Sequence, residues 1–145
     1  MKHTNKFDLD LAFGQKYENE FQKIVEGTVE IKADRLWQKT SNVFIEKESR
    51  GKPSGIEVSK ARYWVFFLEV GKRKDQIFVG IPLKLLKKFV IGYPLKRGGD
   101  AYTSVGYVVP AKDLVDFYIQ IKQFGEKQWL TNHFFTNKNL TSIKK

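Results

Sequence analysis

Apolar positions along the chain change period several times, and each change predicts an element. Phe13, Tyr17, Phe21, Ile24 and Val25 recur at spacings of three and four, which predicts a helix over about residues 14–26, ended by Gly27. The period then falls to two. Strands are expected over roughly 28–35 and 42–48, joined by the segment 36–41. Residues 50–55, Arg-Gly-Lys-Pro-Ser-Gly, are turn-rich, and 56–61 has room for one or two helical turns. Tyr63 to Leu68 is apolar and aromatic without alternation, as in a strand covered on both faces, and Gln76 to Ile81 predicts another strand after the basic turn 71–75. Pro82 suits the first turn of a helix to about Val90, with Leu83, Leu86 and Val90 on one side and Lys84, Lys87 and Lys88 on others. Tyr102 to Val109 reads as a strand, and Pro110 opens a helix through Leu114, Phe117, Tyr118 and Ile121. Trp129, Phe134 and Phe135 predict that the last twenty residues pack. The order α, β, β, short α, β, β, α, β, α predicts an α/β (α+β) fold in which a mixed sheet is flanked by helices.

The first two strands stand apart because their polar positions are acidic. Residues two apart in a strand share a face, so Glu30, Lys32 and Asp34 project together while Val29, Ile31 and Ala33 point the other way. The second run repeats the arrangement, with Glu46 and Glu48 on one face and Val43, Ile45 and the stem of Lys47 on the other. If the strands are neighbours, their carboxylates and one ammonium gather on one patch. Carboxylates that close repel one another, and a bound cation is the usual relief. The pattern therefore points to a divalent-metal site. The competing reading is a solvated strand face, against which stand the adjacency of two acidic runs and the positive charge elsewhere.

Composition sharpens that contrast. A chain of 145 residues suits one domain with one core, and no composition break marks a second. It carries 26 Lys and Arg against 16 Asp and Glu, a formal net charge of +10, so a polyanion such as nucleic acid is the expected partner. A local acidic cluster within a basic whole is a common layout for phosphodiester chemistry. There is no cysteine, which excludes disulfides and Cys-ligated zinc or iron–sulfur sites and leaves the redox compartment unencoded. The two histidines, His3 and His133, are far apart in sequence, so any metal is expected to take oxygen ligands, which favours Mg²⁺ or Mn²⁺. The run Tyr63 to Leu68 is of strand length and no membrane span, and Asp8 and Asp10 interrupt the apolar stretch near the N-terminus, against a signal peptide. A cytoplasmic location is the default expectation, that of the host cell if the chain is phage-encoded.

These residues together resemble the PD-(D/E)XK nuclease superfamily, the restriction-endonuclease-like proteins that include type II restriction enzymes, Holliday-junction resolvases and many phage-encoded nucleases. In that family a helix donates an acid, one strand an Asp, and the next a Glu or Asp two residues before a Lys. Asp34 precedes Glu46 by twelve residues, a separation similar to the family's. The position two after Glu46 holds Glu48 in place of lysine, a Glu-x-Glu variant that some restriction enzymes also show. Lys32 shares a face with Asp34 and could bring its ammonium to the same place from the adjacent strand. Gly14-Gln-Lys-Tyr-Glu18 resembles the Gly-x-x-x-Glu pattern of the family's first helix, with Glu20 as the rival acid. Segments 42–46 and 50–56 and the pair Tyr63-Trp64 are similar to small phage-type members, so the resemblance covers roughly residues 7–70. A second alignment takes Glu30-x-Lys32 as the motif, which moves the preceding Asp to Asp8 or Asp10, before the helix. The Asp34/Glu46 version is favoured, and Lys32 belongs to both.

The resemblance implies a restriction-endonuclease-like core and metal-dependent hydrolysis of DNA. Its implied metal ligands are Glu18, Asp34 and Glu46, and its implied catalytic residues are Lys32, Asp34, Glu46 and Glu48, with Glu30 the acid most easily spared. One or two Mg²⁺ ions would lower the pKa of the attacking water and neutralise phosphoryl charge, while the lysine positions or deprotonates that water. Arg50, Lys52, Lys60 and Arg62 are candidates for a phosphate track. The segment 51–55 has turn spacing rather than that of a P-loop. Trp37, in a polar loop, is a candidate for stacking on a base, whereas Trp64 is expected in the core. The apolar face of helix 83–90 is expected to pack on the core rather than on a membrane. Branched or junction DNA suits so small and basic a chain, and implies a homodimer with two sites. The alternatives are a non-catalytic nucleic-acid-binding module that retains the nuclease fold and a small structural protein whose acids are ordinary surface.

Overall fold

A computed structural model describes residues 6–34, 37–70, 72 and 75–143. The chain begins with helix α1 (Lys6–Glu26), which starts earlier than its apolar periodicity predicts, and passes through Gly27 and Thr28 into strand β1 (Val29–Ala33). A single helical turn, α2 (Trp37–Thr40), lies in the loop before β2 (Asn42–Ser49), and a tight turn leads to the two-residue strand β3 (Lys52–Pro53). The expected helix over 56–61 contracts to a 3₁₀ turn, Gly55–Glu57. Strands β4 (Tyr63–Val70) and β5 (Asp75–Pro82) are followed by α3 (Leu83–Val90), an edge strand β6 (Leu95–Gly98), β7 (Ser104–Pro110) and a long C-terminal helix, α4 (Ala111–Ile143), broken at Gly125.

The fold is α+β, as the element order predicts, with its strands divided between two sheets. One has the order β1-β4-β5, with β1 parallel and β5 antiparallel to β4; the other has the order β3-β2-β7-β6 and is antiparallel throughout. The two acid-bearing strands, β1 and β2, therefore lie in different sheets. Strand β4 returns parallel to β1 after a connection that contains α2 and the β2–β3 hairpin, and Arg62 N donates to Thr28 O at 2.8 Å to align the two starts.

Both sheets contribute to one core. Trp64, Phe66 and Leu68 of β4, Val79 and Ile81 of β5, Val43 and Ile45 of β2, and Tyr107 and Val109 of β7 join Leu85 and Leu86 of α3 and Leu114 and Phe117 of α4 in a single buried cluster. Each fully buried side chain of this size stabilises the fold by about 1.5–3 kcal/mol. Helix α3 buries Leu83, Leu85, Leu86 and Val90 and exposes Lys84, Lys87 and Lys88, the amphipathic division expected of a helix on a core. Trp129 is buried beyond the Gly125 break, 4.6 Å from the Phe117 ring, so the C-terminal segment packs this far; the side chains of Phe134 and Phe135 lie outside the described residues.

Two apolar surfaces remain open. The stripe on α1 exists but is not covered: Phe13 is 64% and Phe21 67% exposed. On the outer face of the three-stranded sheet Ile31 is 63% exposed, and Phe78 packs edge-on to Phe67 with its other side in solvent. No helix among the described residues is long and apolar enough to cross a membrane.

Candidate active site

Strand β1 places its polar residues on the inward face. In the parallel register Glu30 pairs with Trp64 and Lys32 with Phe66, and both β4 partners are buried. Paired residues share a face of the sheet, so Glu30 and Lys32 look into the molecule while Ile31, beside Val65, looks out. A polar face turned inward needs partners, because an unpaired buried charge is costly. The partners are local. The Lys32 ammonium forms an ion pair with Glu30 Oε1 and sits 4.3 Å from the centroid of the Trp64 ring. Ser59 Oγ donates to the other Glu30 oxygen, Oε2, at 2.5 Å, and itself accepts from Trp64 Nε1 at 3.0 Å and from Ala61 N at 3.3 Å. Burial pushes the Glu30 carboxyl upward, but hydrogen bonds from Lys32 and Ser59 and the charge of Lys32 outweigh it and hold the group below its ordinary value.

On β2, Glu46 is held by two hydroxyls. Ser54 Oγ donates to Oε1 at 2.5 Å and Ser104 Oγ to Oε2 at 2.7 Å. These bonds, Ser54 first, keep the Glu46 carboxyl below the usual carboxylate range; burial opposes them, and the Lys32 ammonium adds to them. Asp34, just past the end of β1, lines a cleft of about 320 Å³ with Lys32, Val43, Phe44 and Phe66.

The remaining sequence candidates fall outside this cluster. Period two predicts that Glu46 and Glu48 share a face, but a bulge between them breaks the register: Glu46 pairs with Gly106 and Glu48 with the adjacent Val105. Their side chains accordingly lie on opposite faces. Glu18 is exposed on α1, and the side chain of its rival Glu20 lies outside the described residues, as do those of Asp8 and Asp10. Glu18, Asp34 and Glu46 are not gathered: among the described residues no three acidic or histidine side chains form a group able to hold a metal ion. Arg50 and Lys52 are exposed at the tip of the β2–β3 turn, near the Ser104 end of β7, because Ser49 pairs with both Lys52 and Ser104. Lys60 and Arg62 are exposed at the entry to β4, in the other sheet. Trp37 is half-buried against the core with its Nε1 enclosed, which leaves it poorly disposed to stack on a base.

Three serines carry much of the geometry and none has a periodic signature. Ser54 closes the turn-rich segment, Ser59 follows the 3₁₀ turn and Ser104 opens β7. A small polar residue at a buried strand position, Ser104, is the one trace the sequence carries. Comparison with known proteins adds no relative: no family model, no curated protein and no solved structure matches this chain.

Proposed function

We propose that the chain is a metal-dependent nuclease that hydrolyses phosphodiester bonds in DNA, with its site at the cleft lined by Lys32 and Asp34. The observation that carries this reading is an ammonium, Lys32, turned inward in an ion pair with Glu30 and lining one cleft together with Asp34. Polar groups on the inner face of a sheet, with apolar Ile31 outside, are the reverse of what stability alone selects. The net charge of +10 and the exposed Arg50, Lys52, Lys60 and Arg62 supply attraction for a phosphate backbone.

A carboxylate oxygen is the donor a hard divalent cation takes, and Asp34 is the carboxylate that lines the cleft. Mg²⁺ is commonly held by one or two carboxylates, with water and substrate phosphate completing its shell. Bound there, the cation would supply positive charge to the phosphoryl oxygens. Lys32, held in place by Glu30 and the Trp64 ring, adds an ammonium aimed at the same charge and orients the attacking water by hydrogen bonding. Cytoplasmic action on branched DNA by a homodimer belongs to the same proposal, and the uncovered apolar surfaces of α1 and the outer sheet face favour self-association.

The test is incubation of the protein with supercoiled plasmid and with a four-way DNA junction in Mg²⁺, Mn²⁺ or EDTA. Cleavage that depends on metal and is lost in Asp34→Asn and Glu46→Gln, with DNA retention by both variants, supports the reading. Absence of cleavage in either metal, with DNA still bound, favours the non-catalytic binding module instead.

A further inference from the structure

We propose that the end of the four-stranded sheet where the β2–β3 and β6–β7 turns meet binds single-stranded DNA, with Tyr102 stacking on an unpaired base and Arg50, Lys52, Lys96 and Arg97 on the phosphates. This rests on DNA being the substrate in the reading above, and needs neither a metal nor cleavage. The strand register places these residues together. Ser49 pairs with Lys52 on one side and with Ser104 on the other, and Ser104 pairs with Gly98, so one row of the sheet runs from Lys52 to the neighbour of Arg97. Arg50 N donates to Thr103 O at 2.8 Å, which ties the tip of the first turn to the residue after Tyr102. Lys96 lies opposite Gly106, two residues along β7 from Ser104, and so shares the face of Lys52; Arg97, opposite Val105, takes the other face of the same edge strand. All four cations are exposed, whereas the acids of these rows, Glu46 and Glu48, are half-buried.

Both turns hold side chains outward at a conformational cost. Arg50 and Gly51 are the central residues of a two-residue hairpin turn and are both left-handed, with φ of 50° and 75°. Asn, Asp or Gly is favoured at the first of these positions, so an arginine there is not the choice of turn stability. In the other turn Ala101 and Tyr102 are left-handed in succession, with φ of 54° and 55°, and Tyr102 is 71% exposed. Such backbone strain collects at ligand-binding segments. The chemistry of the surface selects its occupant. In a duplex both faces of an internal base are covered by its neighbours, so an exposed ring finds a stacking partner only where bases are unpaired. A single strand offers bases to the ring and phosphates to the cations, the pairing of aromatic platform and basic track that single-strand binding uses. An anionic membrane matches the charge alone, because Arg50, Ala101 and Thr103 beside Tyr102 bring no large aliphatic side chain to enter a bilayer.

The full-length chain is titrated in EDTA, over a range of salt, with a fluorescently labelled oligothymidylate and with a duplex of the same length, read by anisotropy, and with phosphatidylserine vesicles, read by co-sedimentation. The single strand should bind more tightly than the duplex. Tyr102→Ala should weaken single-strand binding about tenfold, and Tyr102→Phe, which keeps the ring, should stay within about twofold of the parent. R50Q/K52Q and K96Q/R97Q should each lower the slope of log K against log salt by about 1.4, two phosphate contacts at about 0.7 each. K84Q/K87Q removes the same charge from α3 and should change the slope by less than half as much. Unchanged binding in Tyr102→Ala overturns the proposal, as does K84Q/K87Q falling as far as K96Q/R97Q. An equal fall in Tyr102→Phe and Tyr102→Ala overturns it too, whether through the fold or the hydroxyl, and so does binding to vesicles with none to the single strand. If the single strand binds through this surface while plasmid stays uncut in Mg²⁺ and Mn²⁺, the surface stands and the nuclease reading falls. Metal-dependent cleavage with single-strand binding indifferent to these variants has the opposite meaning.

Discussion

Strands β1 and β2 carry nearly the same pattern, alternating acids with small aliphatic residues, yet they are used in opposite ways. In β2 the aliphatic side, Val43 and Ile45, enters the core, and Glu46 lies on the other face under two serine hydroxyls. In β1 the charged side faces inward across Trp64 and Phe66, and Ile31 is left in solvent. The difference teaches that period two groups residues by face without saying which face is buried. That choice is made by the neighbouring strand. Because β1 lies parallel to β4 in a register that sets Glu30 against Trp64, its charged residues share the face that β4 presents to the core. The energy of burying β4 decides the matter: three large side chains outweigh the exposure of one isoleucine.

The sharpest way to break the comparison is through the charges. On the proposed nuclease reading, Lys32→Ala and Glu46→Ala should each lower plasmid cleavage about 100-fold or more, roughly 2.7 kcal/mol of activation free energy, while Glu48→Ala, across the bulge, should change it little. Equal losses in all three would mean that the bulge does not separate Glu46 from Glu48 in function. Next in size is packing. Phe66→Ala on the inner face should cost about 3–5 kcal/mol in urea unfolding, whereas Ile31→Ala on the outer face of the same sheet should cost no more than about 0.5 kcal/mol. A large cost at Ile31 would show that the outer face is covered in solution, and concentration-dependent stability would identify a second copy as the cover.

A smaller effect probes the opposite face of the β2 sheet. A Cβ at Gly106 would stand 2.6 Å from Phe44 Cζ and 2.7 Å from Ile45 O, so Gly106→Ala should destabilise by about 1–3 kcal/mol by displacing both the Phe44 ring and the Ile45 carbonyl. Thermal stability should not be recovered in Gly106→Ala/Phe44→Ala, because the backbone clash remains; full recovery would mark the ring as the only obstacle.

The mildest prediction concerns acid. Glu30 and Glu46 both titrate below the ordinary value of 4.5 in the folded chain, so each contributes stability that is present above that pH and withdrawn as pH falls through its depressed folded value. Melting temperature followed downward from neutral pH should therefore drop less steeply in Glu30→Gln and Glu46→Gln than in the parent. Parallel curves would indicate that these carboxylates are as free in the folded chain as in the unfolded one.

Much of the fold was legible in order and kind. The helices at 83–90 and after Pro110, the aromatic strand from Tyr63 and the strand from Gln76 follow from period and punctuation, which are local properties. The short strand β6 was not, since Leu95-Lys-Arg-Gly98 has no alternation and exists by pairing with β7. Within the site, the sharing of a face by Glu30 and Lys32 was legible. Glu30 looked dispensable, yet it is the ion-pair partner of Lys32. Its role was hidden because the groups that complete it, Ser59 and Trp64, are distant in sequence and carry no pattern of their own.

The sequence by itself determined which side chains travel together: faces, helical stripes, turns and the imbalance of charge all follow from spacing along one chain. Tertiary structure alone decided the rest. It assigned β1 and β2 to separate sheets, turned one acidic face inward, moved Glu48 away from Glu46 by a one-residue bulge, and brought Ser54 and Ser104 to the same carboxylate. The physical reason is that periodicity is set by backbone geometry within an element, whereas the partner of each face is set by the total burial and hydrogen bonding of all elements at once.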